Sequence, residues 1–266
     1  MKKILVIALG GTIGSVKTDS IGLDKNNLKI LDYCRRDDVE FTGVSPFSVL
    51  SENMSIALWM RLIDFLDSID FSLYKGVIIL HGSDTLAYTS SLIANAFVNE
   101  RIVFVAADKP IENNQSNGID NFNTAVDMIV SSDFNCPFVS YNGMHRADCI
   151  TSANIKDEFL SLDSTLPPVN SRIIHCKNVL IINPYIEINF DNYNLDNVDC
   201  VLINMYHSAT VPDSTKVFCE ILSKQCIPYY FVTHKSSADY ETADGLDNII
   251  FNCTIENAYA RILLTK

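Results

Sequence analysis

The stretch Gly76-Val77-Ile78-Ile79-Leu80-His81-Gly82-Ser83-Asp84-Thr85 sets the terms for the whole chain. Glycine, β-branched residues and leucine without polar alternation read as a strand buried on both faces, which belongs inside a parallel sheet. The helical pattern from Leu86-Ala87-Tyr88 to Ala96 follows at once. The polar residues between the two therefore fall at the carboxyl end of the strand, the edge where open α/β sheets bind ligands. Ser83, Asp84 and Thr85 supply hydroxyls and a carboxylate there, beside the free N–H groups of a helix start. That set suits a nucleophile with a base or an ammonium binder, and it equally suits plain helix capping.

A second edge of the same kind opens the chain. Ile4-Leu5-Val6-Ile7-Ala8-Leu9 is a strand by its apolar, β-branched run, and Gly10-Gly11-Thr12-Ile13-Gly14 is a tight turn leaving it. Glycine permits positive φ and close approach to the backbone, so Thr12 projects from the same sheet edge as Ser83 and Asp84, either as a reactive hydroxyl or as a turn residue. The spacing of Gly10, Gly11 and Gly14 is not that of a dinucleotide fingerprint. Ser15 to Asn27 is polar and reads as a mobile loop able to close over a ligand.

Further along, Leu28 to Arg36 reads as a short helix and Val39 to Val44 as a strand. Ser51-Glu52-Asn53 precedes a helix marked by Ile56, Trp59, Met60, Leu62, Ile63 and Leu66. Glu52 there either complements the helix dipole or binds an ammonium group. Ile102 to Ala106 is another buried strand, a helical pattern runs to Ile129, and Phe138 to Asn142 pairs with an extended Arg146 to Asn154. After Pro167-Pro168, strands at Val179-Ile182, Val198-Asn204 and Ile227-Val232 alternate with helices ending near Leu222 and Leu264. Alternation of this kind implies parallel sheets. The reading is an α/β protein with a larger N-terminal domain over 1–170, a linker over 171–177 and a smaller C-terminal α/β domain over 178–266.

With 266 residues, 48% of them hydrophobic, the chain can bury a substantial core. A formal net charge of −12 repels polyanions, which argues against nucleic acid and anionic membrane surfaces and for a small-molecule partner. No apolar run reaches the roughly 18 residues of a spanning helix, and the short stretch after Met1-Lys2-Lys3 ends in structural glycines, so the reading is cytoplasmic. The 8 cysteines are scattered singly, as packed reduced thiols are, and offer no zinc spacing. No metal or cofactor is expected.

Three motifs together make a resemblance. Gly10-Gly11-Thr12-Ile13, Ser51-Glu52-Asn53-Met54 and His81-Gly82-Ser83-Asp84-Thr85 stand in the order and spacing of the bacterial two-domain L-asparaginase/glutaminase family. Tyr206 to Val211-Pro212-Asp213 and Thr254-Ile255-Glu256-Asn257-Ala258 extend the likeness over nearly the whole chain. The resemblance implies hydrolysis of a side-chain amide to the acid and ammonia through an acyl-enzyme, in homo-oligomers built from intimate dimers. It makes Thr12 the nucleophile and Ser83 the counterpart of a second catalytic threonine. Asp84 becomes the aspartate beside it, which also holds the substrate ammonium. Ser51 and Glu52 match positions that grip the α-carboxylate and α-ammonium of an amino-acid amide.

The chain also departs from that pattern. Ile150 stands where the family has a lysine, and no tyrosine occurs before Tyr33 in the segment after Thr12. His207-Ser208-Ala209-Thr210 replaces a loop of glycines and an asparagine, and Glu241 is a weak counterpart for the glutamate lent by a neighbouring subunit. Without the lysine, the Ser83 hydroxyl lacks its usual activator. Three readings follow. The first is an asparaginase-type amidohydrolase; the second is a weakened amino-acid-binding or regulatory protein on the same frame; the third is a hydrolase of another amide or ester.

Overall fold

The computed structural model describes residues 1–17, 20–163 and 166–266. In the N-terminal part, β1 (Lys2–Ala8), β2 (Ser15–Lys17) and β3 (Ile21–Leu23) are followed by the short helix α1 (Ile30–Tyr33), β4 (Val39–Val44) and α2 (Ile56–Asp67). Then come β5 (Gly76–Leu80), α3 (Leu86–Ala96), β6 (Ile102–Val105), α4 (Gly118–Ser131), β7 (Phe138–Ser140) and β8 (Met144–Arg146). The sheet order is β4-β1-β5-β6-β7-β8, parallel throughout except for the final β7–β8 pair.

The two-residue period of a strand explains how one sheet feeds two cores. Leu5, Ile7 and Leu9 of the first strand run, with Val77 and Ile79 of β5, join the cluster formed with α2 and α3. Their neighbours Ile4, Val6, Ala8, Ile78 and Leu80 join the opposite cluster with Phe122, Ala125, Val126 and Ile129 of α4. Both faces being covered, neither strand alternates apolar with polar residues, which is why the runs are legible in the sequence.

The second sheet is smaller. It comprises β9 (Val179–Ile182), β10 (Cys200–Asn204), β11 (Tyr229–Val232) and β12 (Ile249–Ile250), all parallel in the order β12-β11-β10-β9, with helix α5 (Ser214–Lys224) packed on one face. The closing helix α6 (Ile255–Leu264) crosses back to the first domain, where Ala260, Leu263 and Leu264 complete the core around α3. Buried Asn95 of α3 fastens the crossing: its amide donates to Asn257 Oδ1 at 2.8 Å, and its Oδ1 accepts from Arg261 at 3.1 Å and from Val169 N at 3.2 Å. The α/β architecture with a larger and a smaller sheet domain is the one expected.

Local expectations needed correction. Much of the segment read as a mobile loop is a hairpin, with Ser15, Val16 and Lys17 opposite Leu23, Gly22 and Ile21; Thr18 and Asp19 lie outside the described residues. Its polar composition reflects solvent exposure, not absence of pairing. The partner of β7 is Met144–Arg146 instead of Arg146 to Asn154, because the turn at Asn142 (φ +50°) and Gly143 (φ +143°) reverses the chain within two residues. The helix read over Leu28 to Arg36 is cut to Ile30–Tyr33.

Candidate active site

The site is assembled by backbone contacts at glycines. Gly11 lies at φ +75°, and a Cβ added there would fall 2.2 Å from the Gly82 nitrogen. A Cβ on Gly82 would in turn meet Ser51 Oγ at 2.4 Å, and one on Gly10, at φ +103°, would meet the Val49 carbonyl oxygen at 2.4 Å. No side chain fits between these segments, so the turns after β1 and β5 and the loop before α2 press directly on one another. Leu9 N donates to Leu80 O at 3.0 Å, Val49 N to Leu9 O at 2.9 Å and Gly11 N to Val49 O at 3.2 Å. Thr12 and Ser83 are each the next residue past the Gly11–Gly82 contact and share the carboxyl edge of the sheet.

Side chains tighten the junction. Ser51, 3% exposed, donates from Oγ to Asp84 Oδ2 at 3.3 Å. Thr85 occupies the N-cap position of α3 without capping it and instead donates from Oγ1 to the Ser51 carbonyl at 2.8 Å. The capping alternative thus does not hold for Thr85, whose hydroxyl joins two loops. Ser55, not the Ser51–Asn53 turn, caps α2 by accepting from Leu58 N, which leaves exposed Glu52 outside the helix. Thr12 and Ser83 are partly exposed and Asp84 is exposed, so the edge is open to a ligand.

His81 lies beneath this edge, 1% exposed, with its ring edge-on to Phe104 at 6.2 Å. Its Nδ1 is 2.7 Å from the Gly82 carbonyl, which only accepts, so Nδ1 carries the proton. Among the described residues Nε2 is buried without a hydrogen-bond partner, and burial pushes the imidazole down to about 4. A neutral ring results, suited to holding Gly82 rather than to carrying protons near neutrality.

Residues 149–162 form an arm in which Ile150 bridges Ser161, Thr151 N donates to Leu160 O at 2.9 Å and Leu162 N to Cys149 O at 3.0 Å. Ile150 is fully buried in the larger core. Of the two other lysines the sequence raised as candidates, Lys109 Nζ donates to Gln115 at 3.3 Å and lies 3.9 Å from Asp108, and Lys156 is exposed. Glu241 is exposed in a short turn of the second domain.

His207 follows β10 in the second domain. Its ring lies 5.3 Å from that of His234, and both line a cavity of about 560 Å³ with Thr151, Leu160, Asn204 and Glu256. Glu256, 4% exposed, accepts from Ser152 N at 2.7 Å and so ties the arm to α6. His234, just past β11, carries no local motif that marks it, whereas Glu256 belongs to the Thr254–Ala258 motif and is brought there by α6. Among the described residues no group of three or more His, Cys, Asp and Glu side chains is placed to hold a metal ion, and no helix is long and apolar enough to cross a membrane.

The fold and this edge define a two-sheet α/β protein with hydroxyls and carboxylates gathered at the glycine turns. Residues 3–155 match the family described as asparaginase, N-terminal, and the chain belongs to the asparaginase family. A glutamyl-tRNA(Gln) amidotransferase component of Sulfolobus acidocaldarius is 26% identical over 202 residues, covering 72% of this chain and 45% of that protein. Its counterpart of the same name in Thermoplasma acidophilum is 34% identical over 131 residues, covering 47% and 32%. L-asparaginase 1 of Escherichia coli K12 is 23% identical over 188 residues, covering 67% and 55%. The match thus spans less than half the length of these amidotransferase components. Among solved structures, L-asparaginase I of Vibrio cholerae superposes with a TM-score of 0.80 at 20% identity, covering 99% of this chain and 92% of that one. A probable cytoplasmic L-asparaginase of Campylobacter jejuni gives 0.74 at 15% identity, covering 99% and 94%.

Proposed function

We propose that this chain is an asparaginase-type amidohydrolase acting on L-asparagine or a related amino-acid amide. The observation that carries the reading is the glycine-on-glycine packing that puts Thr12, Ser51, Ser83 and Asp84 at one sheet edge. In this reading the Thr12 hydroxyl adds to the amide carbon and its proton passes, with help from Ser83, to the departing nitrogen. Ammonia leaves, and water then cleaves the Thr12 ester to release the acid. Asp84 and Glu52 bind the substrate ammonium, and Ser51 meets its carboxylate. Residues 1–170 carry these groups, with 178–266 as the smaller domain, and the protein works in the cytoplasm as a homodimer or homotetramer.

The test is ammonia release by the purified protein from L-asparagine, L-glutamine and D-asparagine, with Thr12→Ala alongside. L-glutamine belongs in the panel because relatives bear the name glutamyl-tRNA(Gln) amidotransferase. Release from at least one substrate that falls by about three orders of magnitude in Thr12→Ala fits loss of a nucleophile. Equal release by both proteins rules Thr12 out. One observation favours a second reading: Ile150 is core, so the family lysine has no replacement at that position. If no substrate releases ammonia while L-aspartate or L-asparagine raises the melting temperature, the chain is an amino-acid-binding protein on this frame.

A further inference from the structure

We infer that Lys29 is the positioning residue of this site, acting as a buried ammonium latch that fixes the Thr12 turn from behind. Lys29 is 6% exposed, although it is a lysine in a short connecting segment. Its ammonium donates to the Ser15 carbonyl at 2.6 Å, to Asp24 Oδ2 at 3.2 Å and to Glu112 Oε1 at 2.5 Å. An ammonium has three N–H donors, and here each has a separate acceptor, two of them charged. A lysine withdrawn from water this far is tolerated only with such matching.

The acceptors show what the latch holds. Ser15 begins β2 directly after the Thr12–Gly14 turn, and its Oγ donates to the Gly11 carbonyl at 2.7 Å. Asp24 follows β3 at the open end of the hairpin, beside the start of β2, and its backbone N donates to the Gly14 carbonyl at 3.1 Å. Hydrogen bonding to Asn26 N and to Lys29 holds the Asp24 carboxyl below the usual carboxylate range, keeping it an acceptor. Glu112 stands on the loop after β6, two strands from β1 on the same sheet, with β5 between them. Lys29 therefore clamps both strands at the open end of the hairpin that leaves Thr12 and braces them against the β6 loop. Leu23, on that hairpin, already lies against Gly10, where an added Cβ would meet its Cδ2 at 2.9 Å.

The inference rests on Thr12 being the nucleophile of the proposed function, and the experiment separates the two. Lys29→Met, Lys29→Arg and Glu112→Gln are compared with the wild-type chain by hydrogen–deuterium exchange and by ammonia-release kinetics. Loss of two charge-assisted bonds and of the carbonyl contact should speed exchange of residues 12–17 and 20–24 by at least about tenfold in Lys29→Met. Exchange in β5 and β6 should stay unchanged. A misplaced nucleophile lowers kcat by about tenfold or more and leaves KM within about threefold, because Ser51, Glu52 and Asp84 lie outside the latch. Lys29→Arg should recover part of both effects, which general loosening would not predict. If Lys29→Met does not fold, Glu112→Gln still removes the negative charge of one acceptor, and the exchange of 12–17 must rise. Unchanged exchange of 12–24 in every variant that folds, or a loss confined to KM, overturns the latch. Should the wild type release no ammonia, the proposed function fails, and the exchange result decides the latch alone.

Discussion

At the scale of single residues, the site separates groups that react from groups that hold. His81 is in the second class. Its folded-state pKa is depressed to about 4 from 6.5, so as pH falls the unfolded chain takes up the proton first. Its contribution to stability is complete above about pH 6.5 and is lost progressively down to about pH 4, with a total of about 3 kcal/mol. Urea midpoints at pH 7.5 and pH 4.5 check this: the drop in wild type should shrink by about 2 kcal/mol in His81→Leu. Equal drops in both proteins would place the acid sensitivity elsewhere. Thr12, Ser83 and Asp84 stood out as candidates in the sequence because polar groups stood at or just past glycines at strand ends, whereas Ser51 and Glu52 stood out only through the family motif. Lys29 and Glu112 were not, because an isolated lysine or glutamate in a polar stretch looks the same in sequence whether it is solvated or buried in a three-way contact.

At the scale of elements, runs such as Gly76–Leu80 and the helix Leu86–Ala96 were read from periodicity to within a residue or so of their ends. The β2–β3 hairpin was missed because solvent covers it and no apolar alternation marks its pairing. The arm over 149–162 was half legible. Its Ile150 was placed at the position of the family lysine, but only the fold shows that this position is interior. Ile150→Lys is therefore expected to destabilise the protein by about 3–5 kcal/mol, as an unpaired buried charge does, without raising ammonia release. Chemical denaturation and the same kinetic assay read both quantities. A stability change under about 1 kcal/mol together with faster turnover would mean that the arm turns this position toward Thr12.

At the scale of the molecule, α6 packs into the cores of both sheets. The single tryptophan, Trp59, reports on this directly: its ring lies edge-on to Tyr259 of α6 at 6.1 Å, and its Nε1 donates to Thr89 Oγ1 at 2.9 Å. Because Leu263 and Leu264 sit in the larger core, the two sheets should melt together. Trp59 fluorescence and far-ultraviolet circular dichroism are expected to give coincident urea transitions; a Trp59 change that comes first would show α6 undocking on its own. The packing of Gly11 on Gly82 has a different reach. It is required for the two turns to meet at all, whether or not any amide is ever cleaved there. The motifs by which such chains are recognised are thus joints of the scaffold before they are parts of a catalyst. A lineage can exchange lysine for isoleucine or threonine for serine and still display them, so a motif match in a chain like this certifies the joinery, while a measured rate must certify the trade.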